Sequence, residues 1–156
     1  MHRKNSILIR APKEKIFEIT TNLALWPTIL PHYRYVRILD RRPDFEVVEM
    51  AALRDGIPIS WVSRHEIDHD HQEMRFEHLK AFTKGMRVVW LYRDDSDGVR
   101  VEIVHDLEFR IPWLRPLADL IIGRFFVEHV ANRTLACFKA YLEQRLSDDK
   151  TENPPA

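Results

Sequence analysis

Two side chains in this sequence could take part in proton transfer. His65 carries an imidazole, which gains and loses protons near neutral pH, and Tyr33 carries a phenol that can donate a hydrogen bond to a carbonyl oxygen. The alternative for His65 is a hydrogen-bonded histidine in a cavity wall, and the alternative for Tyr33 is a packed ring with a solvated hydroxyl. The choice depends on the elements that hold these residues.

The strand predicted around His65 carries aromatic and polar side chains on one face. Side chains alternate along a strand, so Trp61, Ser63 and His65 share a face and Arg64 points to the other. We expect the shared face to turn inward and to be partly polar. Further candidates for contact with a ligand in a cavity are Trp26, His78, Met86, Trp90, His105 and Thr134.

A histidine-rich turn raises the alternative of a metal site. The string Asp68-His69-Asp70-His71 holds imidazoles and carboxylates, which are good ligands for zinc or iron. Two histidines two positions apart in a hairpin are more typical of a solvated loop, and the sequence offers no compelling third and fourth ligands. It also lacks a glycine-rich phosphate loop and a GxSxG elbow, so we expect no metal and no cofactor.

The balance of positive and negative charge argues against nucleic acid as a partner. Among 156 residues, 24 are basic and 24 are acidic, and both signs are mixed along the whole length, so no long-range field steers the chain toward nucleic acid. The single cysteine, Cys137, excludes an internal disulfide and suits a reducing compartment. The apolar run at residues 7–9 is too short for a signal peptide or a spanning helix. We expect a cytoplasmic protein without stable membrane insertion, and a homodimer remains open.

The spacing of apolar residues changes twice along the chain. A short β-branched run that ends at Arg10 predicts the first strand, Pro12 begins a short helix, and the prolines at residues 27 and 31 predict a second, broken helix. From residue 33 to residue 109 the period is close to two, with polar, glycine or proline turns between the stretches. This pattern predicts six antiparallel strands, over residues 33–39, 45–53, 57–67, 73–79, 84–92 and 99–109.

The longest predicted element is a helix from Arg115 to Ser147. Apolar side chains at spacings of three and four predict that one of its faces lies against the sheet. The polar residues 148–156 include two prolines and are expected to be disordered. We therefore expect one ligand-binding domain over residues 1–147 and a tail over residues 148–156. The apolar positions of the predicted helix face include Leu117, Leu120, Ile121, Phe125, Val127, Val130, Ala131, Leu135, Phe138 and Leu142.

One long helix cannot cover both faces of a seven-stranded sheet, so we expect the sheet to curl around the helix. The predicted fold class is α+β, with a seven-stranded curved antiparallel sheet wrapped around a long C-terminal helix and two short helices after strand 1. A cavity between sheet and helix would be apolar with sparse polar groups, which suits a hydrophobic small molecule as partner.

Five strings, taken in order, carry a family resemblance that covers most of the chain. They are Ile9-Arg10-Ala11-Pro12, Leu25-Trp26-Pro27 with Leu30-Pro31-His32-Tyr33, Trp61-Val62-Ser63, Lys84-Gly85-Met86 with Trp90, and Leu135-Ala136-Cys137-Phe138-Lys139. Their order and separation resemble the SRPBCC superfamily, the helix-grip domains that include START lipid carriers, and within it the polyketide cyclase/aromatase-dehydrase branch. Fold transfers better than function, because this fold hosts carriers, cyclases, hydrolases and regulators.

The resemblance implies roles for particular residues. In the aromatase/cyclase relatives a tyrosine at the place of Tyr33 lines the cavity. A tryptophan, a serine and a second tryptophan, at the places of Trp61, Ser63 and Trp90, face a poly-ketone chain. The relatives carry an arginine, thought to donate a proton or hold an oxyanion, at the place of His65, and this sequence therefore departs from the pattern there.

Two functions follow from the resemblance. The first is a cyclase or aromatase, which aligns a reactive carbonyl chain for aldol closure and loss of water, and the retained tyrosine, serine and tryptophans favour it. The second is a non-catalytic carrier of a lipid or quinone, which the replaced arginine favours. We expect the cyclase-like function, with His65 and Tyr33 as the groups that move or hold protons; a regulatory role also stays open.

Overall fold

One antiparallel sheet forms the frame of the molecule. The computed structural model describes residues 1–152. Seven strands are ordered β1-β7-β6-β5-β4-β3-β2, and all neighbours are antiparallel. The curved sheet and the long C-terminal helix confirm the predicted α+β helix-grip class. The strands are β1 His2–Ile9, β2 Tyr33–Arg41, β3 Glu46–Arg54, β4 Ile57–Asp68, β5 Glu73–His78, β6 Arg87–Asp95 and β7 Gly98–Asp106.

Two short helices connect β1 to β2, as predicted. Helix α1 (Lys13–Thr21) begins directly after Pro12, whose fixed φ suits a helix start, and a glutamate lies in its first turn. After one 3₁₀ turn, helix α2 (Trp26–Ile29) has Pro27 near its start and ends after four residues. Trp26 and Ile29 are buried, so α2 closes one side of the core.

The C-terminal helix is longer than predicted. It begins with α3 (Arg115–Ala118), continues as a π-helical segment (Asp119–Glu128) and ends with α4 (His129–Glu152). The helix thus extends past the predicted end at residue 147, and the remainder of the predicted tail, 153–156, lies outside the described residues. None of the helices in the described part of the chain is both long and apolar enough to cross a bilayer.

Helix α4 supplies the centre of the core. Leu135, Phe138 and Leu142 are at most 2% exposed and face the sheet, as their spacing predicted. Burial of each such side chain contributes roughly 2 kcal/mol to the free energy of unfolding. Asn5 Nδ2 donates to Asn132 Oδ1 at 2.8 Å, and Lys139 Nζ donates to the Leu8 carbonyl at 2.6 Å. These bonds attach α4 to β1.

The first part of the C-terminal helix does not pack as predicted. In the segment Asp119–Glu128, π-helical hydrogen bonds widen the turns and change which side chains share a face. Ile122 and Val127 consequently point inward, whereas other apolar side chains of the predicted buried face lie in solvent. Those are Leu117, Leu120, Ile121 and Phe125, with exposed fractions of 55%, 52%, 45% and 40%.

The boundaries of β6 and β7 differ most from the prediction. Strand β6 begins at Arg87 rather than at residue 84, because a 3₁₀ turn over Ala81–Thr83 is followed by Gly85 at a φ of +87°, which favours glycine. Strand β7 ends at Asp106 rather than at residue 109, because the neighbouring strand β6 begins at Arg87, opposite Asp106. Beyond this point Leu107 and Met1 still exchange two backbone hydrogen bonds. The 81–86 connection therefore forms a separate loop beside the sheet, and this loop borders the site.

Candidate functional site

A pocket of about 110 Å³ lies between the sheet and the C-terminal helix. Eight of the ten predicted site residues line it, and His65 and Ser63 do not. Its polar side chains are few and include His78, Thr83, His105 and Thr134. Its wall is otherwise mostly aromatic and aliphatic, and contains Trp26, Tyr33, Met50, Ile59, Trp61, Phe76, Phe82, Met86, Val88, Trp90, Ile103, Ile122, Phe126, Val127, Val130 and Ala131.

Three tryptophans define the shape of the pocket. Trp26 is 2% exposed, and its indole N–H donates to the Thr20 carbonyl at 2.9 Å, so only its apolar ring remains for packing. Its ring centroid lies 5.6 Å from Trp90 and 5.2 Å from Tyr33, the latter edge to face. Trp61 adds a further edge-to-face contact with Tyr33 at 5.9 Å. The result is a set of flat apolar surfaces around a small volume.

Tyr33 and Thr134 form one polar side of the pocket. Tyr33 begins β2, next to a register shift between residues 33 and 35 that changes the side-chain direction, and it is 8% exposed. Burial raises the pKa of its phenol, and the Thr134 hydroxyl partly opposes that rise. The phenol therefore keeps its proton at neutral pH and can donate it in a hydrogen bond. His32 Nε2 lies 2.9 Å from Thr134 Oγ1 and fixes that hydroxyl from behind.

His78 lies at the end of β5 in a flat stack. Its ring is parallel to Trp61, with an interplanar angle of 1° and centroids 6.0 Å apart. His78 Nδ1 lies 2.9 Å from Thr83 Oγ1, in the loop after β5. Burial lowers the pKa of His78 to about 4. The imidazole is therefore neutral at pH 7, and its hydrogen bond to Thr83 holds its orientation.

His105 faces the pocket from β7 without a charged partner. Burial, helped by the nearby His78 and opposed by Asp106, lowers its pKa to about 3. The side chain is 8% exposed, and its Nδ1 has no hydrogen-bond partner among the described residues. A neutral imidazole has one donor and one acceptor nitrogen. His105 thus contributes a neutral imidazole to the pocket wall.

His65, predicted to be the proton-transfer group, lies away from the pocket. It is 2% exposed, its ring stacks on Phe76 with centroids 4.7 Å apart, and its Nδ1 is 3.6 Å from a carboxylate oxygen of Glu46. Burial lowers the pKa of His65, and the carboxylate of Glu46 opposes that shift. Phe76 lines the pocket, so this ring separates His65 from it.

Ser63 is inside the protein but also outside the pocket lining. It is fully buried, and its Oγ has no partner among the described residues. Arg64 lies on the outer face of β4, as the alternation predicted, where it pairs with Glu66 at 2.6 Å and covers the Phe45 ring. Neither Ser63 nor Arg64 therefore contacts the pocket.

The histidine-rich turn is at the surface. His71 Nδ1 pairs with Asp68 at 3.0 Å, which raises the pKa of His71, and the His69 ring packs edge to face on Phe17. Within residues 1–152 no group of three histidine, cysteine, aspartate or glutamate side chains converges as a metal site would require. The pairing of His71 with Asp68 is that of a solvated turn.

Several pocket residues were missed by the sequence reasoning. Phe82 and Thr83 come from the β5–β6 loop, and Phe126 comes from the π-helical segment. Strand alternation does not predict where loop side chains point. The prediction for the helix was based on α-helical turns of 3.6 residues, which do not apply to the π-helical segment that contains Phe126. His32 belongs to the string Leu30-Pro31-His32-Tyr33, which carries part of the family resemblance. Its contact with Thr134 is visible only in the structure.

The sequence is similar to polyketide cyclases of Streptomyces. It is 27% identical over 133 residues to the actinorhodin polyketide synthase bifunctional cyclase/dehydratase of Streptomyces coelicolor, covering 81% of this chain and 42% of that protein. It is 26% identical over 112 residues to a putative polyketide cyclase of Streptomyces cyaneus, covering 70% and 74% of the two chains. The chain thus spans less than half of the bifunctional relative.

Solved structures share the fold. The Zhui aromatase/cyclase from a Streptomyces species superposes with a TM-score of 0.79 at 17% identity, covering 94% of this chain and 95% of that chain. A START superfamily protein from Mycobacterium smegmatis gives 0.68 at 15% identity, covering 92% and 97%. These likenesses concern fold alone and agree with the helix-grip resemblance. Residues 9–139 match the family described as polyketide cyclase / dehydrase and lipid transport, and the chain belongs to that family.

Proposed function

We propose that the pocket binds a planar, uncharged ketone or aromatic molecule and promotes its dehydrating aldol cyclisation without a cofactor. The observation that carries the proposal is the presence of two neutral histidines, His78 and His105, in the same pocket wall as three tryptophan rings. Flat rings suit a conjugated ligand, and buried neutral groups favour a ligand without charge. The mixed charge and lone cysteine support a cytoplasmic location.

The proposed chemistry needs a proton acceptor and a proton donor. A base removes a proton from the carbon next to one carbonyl, and that carbon forms a bond to a second carbonyl carbon, whose oxygen becomes an alkoxide. Protonation gives a hydroxyl, which leaves with a ring proton as water. The neutral imidazole of His105 in the pocket wall would accept the proton in the first step, and Tyr33 keeps the proton needed to hold the oxygen. His65, which does not line the pocket, takes no part in these steps.

The size of the pocket limits the substrate. About 110 Å³ is smaller than the roughly 300–1,000 Å³ of typical ligand pockets, so a single small ring fits and a longer chain needs a wider mouth. Phe82 and Phe126 come from the loop after β5 and from the π-helical segment, both of which lie outside the sheet. Displacement of these two elements would admit a larger ligand.

The second candidate function is a non-catalytic carrier of a lipid or quinone. The position of His65 favours it, because the residue at the place of the relatives' arginine does not reach the pocket. A pKa of about 4 for His78 and about 3 for His105 also makes both weak bases. Binding and orientation would then be the whole function.

Tryptophan fluorescence and product analysis test both candidates. Trp113 is the one tryptophan outside the pocket, so a Trp113→Phe variant emits only from Trp26, Trp61 and Trp90. We expect a linear heptane triketone to quench this emission and to be converted, with loss of one water, to a dihydroxytoluene detected by mass spectrometry. The control is the same triketone without protein.

The outcomes separate the candidates. Quenching with product above the control supports the cyclase, whereas quenching without product supports the carrier. A lipid or quinone that co-purifies and is seen by native mass spectrometry would also favour the carrier. Absence of quenching by the triketone and absence of any co-purified molecule would contradict both.

A further inference from the structure

The mouth of the pocket carries an exposed apolar surface. Phe82, in the loop beside β5, is 65% exposed, and Trp113, just before α3, is 79% exposed. The exposed side chains Leu117, Leu120 and Phe125 continue this surface along the C-terminal helix. Phe82 lines the pocket, and so does Phe126, the residue that follows Phe125. The loop and the helical segment therefore border the same opening.

Basic side chains surround this surface. Lys80 and Lys84 flank Phe82, and residues 79–85 contain no acidic residue. On the helix, Arg115 and Arg124 are exposed and have no ion pair with a described residue. We define the mouth face by these four basic side chains together with Phe82, Trp113, Leu117, Leu120, Ile121 and Phe125.

The acidic side chains of the helical segment in the mouth face are paired with an arginine. Asp119 is the one acidic residue between 110 and 125, and Arg3 Nη2 donates to its carboxylate at 2.5 Å. Arg3 Nε also lies 3.6 Å from Glu128. Arg3 lies on β1, behind the helix. The outer surface of the helical segment is therefore positively charged, through Arg115 and Arg124. Two exposed acidic residues, Glu77 before the loop and Glu108 before the helical segment, have no ion pair with a described residue.

We propose that the mouth face docks on the surface of a bilayer that contains anionic lipids, with the pocket opening toward the acyl chains. A helix that is apolar on both its inner and outer sides is typical of one that is covered. Exposed tryptophan, phenylalanine and leucine with flanking lysine and arginine form the pattern that inserts into the headgroup region. This docking does not require the cyclase function, because a carrier would use it equally.

Charge argues against the other occupants of this face. In a symmetric dimer built on the mouth face, Lys80, Lys84, Arg115 and Arg124 of two copies would face one another and repel. An anionic lipid surface attracts all four, and each basic side chain near it strengthens binding about fivefold. The bilayer therefore complements both the apolar and the charged part of the face.

Co-sedimentation with vesicles tests the proposal. We expect the full chain to bind vesicles of phosphatidylcholine with phosphatidylserine and to bind phosphatidylcholine alone weakly. Leu120→Ser should weaken binding about tenfold, whereas Leu39→Ser should not change it. Leu39 is the matched control, because it is 53% exposed against 52% for Leu120 and lies near the β2–β3 turn, at the end of the sheet opposite Phe82.

Two double variants, each of which removes two positive charges, complete the test. Lys80→Gln with Lys84→Gln should weaken binding to the anionic vesicles about thirtyfold, and Arg41→Gln with Arg42→Gln, which removes the same charge from the far end of the sheet, should not. Failure of the wild-type chain to bind anionic vesicles would overturn the proposal. A dimer in solution that Leu120→Ser dissociates and Leu39→Ser does not would assign the face to a second copy and would also overturn it.

Discussion

Buried histidines occur in two different surroundings on the same sheet. His65 packs on Phe76 near a carboxylate of Glu46, away from the pocket. His78 and His105 line the pocket and have no carboxylate partner, and burial lowers their pKa values to about 4 and about 3. The comparison teaches that facing inward is not sufficient for a functional role, because the position along the strand decides whether a side chain meets the pocket.

The largest expected difference between His65 and the two pocket histidines is in how each affects the stability of the protein at acid pH. Below pH 6.5 the unfolded chain protonates its histidines, whereas folded His78 and His105 stay neutral down to about pH 4 and about pH 3. The free energy of unfolding therefore falls as the pH falls through this window, by about 3 kcal/mol for His78 and about 5 kcal/mol for His105 when complete. Urea denaturation at pH 6.5 and pH 4 measures this loss.

Variants assign the loss to its residues. His78→Gln with His105→Gln should remove much of the dependence between pH 6.5 and pH 4. His65→Gln should remove less, because Glu46 partly offsets the effect of burial on His65. Carboxylates titrate in all these proteins alike, so only the difference between variants counts. An equal or larger effect of His65→Gln would contradict the comparison.

A smaller effect is expected from two hydroxyls, the half-buried one of Thr83 and the buried one of Ser63, one in each surrounding. Thr83→Val removes the partner of His78 Nδ1 and should weaken triketone binding about fivefold, since a hydrogen bond is worth about 1 kcal/mol. Ser63→Ala removes a hydroxyl with no partner among the described residues, so binding should not change and stability should stay equal or rise by up to about 1 kcal/mol.

Fluorescence titration and urea denaturation measure these two quantities in each variant. Thermal denaturation provides the control that both variants fold. Weaker triketone binding by Ser63→Ala, with unchanged binding by Thr83→Val, would place the ligand near Ser63 instead of in the pocket and would contradict the assignment of the site.

The regular elements were predictable from the sequence, since period-two alternation and turn residues give strands directly. The two-residue turn of Asp55 and Gly56 is an example, because both residues have positive φ, at 49° and 83°, as a tight hairpin requires. The inward direction of Trp61, His78 and His105 followed from the same alternation.

The depth of each side chain along its strand was not predictable in this way. Ser63 and His65 share the inward face with Trp61, yet only Trp61 reaches the pocket, because Phe76 on the neighbouring strand covers His65. The loop with Phe82 and the π-helical segment with Phe126 depend on tertiary packing and local helix geometry. A pattern of 3.6-residue turns carries no signal for either.

The most direct test of the central claim compares His105→Gln with His65→Gln in the conversion of the linear heptane triketone. The account predicts that His105→Gln lowers the rate of product formation about a hundredfold while tryptophan quenching is retained, and that His65→Gln leaves the rate nearly unchanged. Loss of turnover in His65→Gln with full turnover in His105→Gln would contradict the assignment of the site to the pocket histidines.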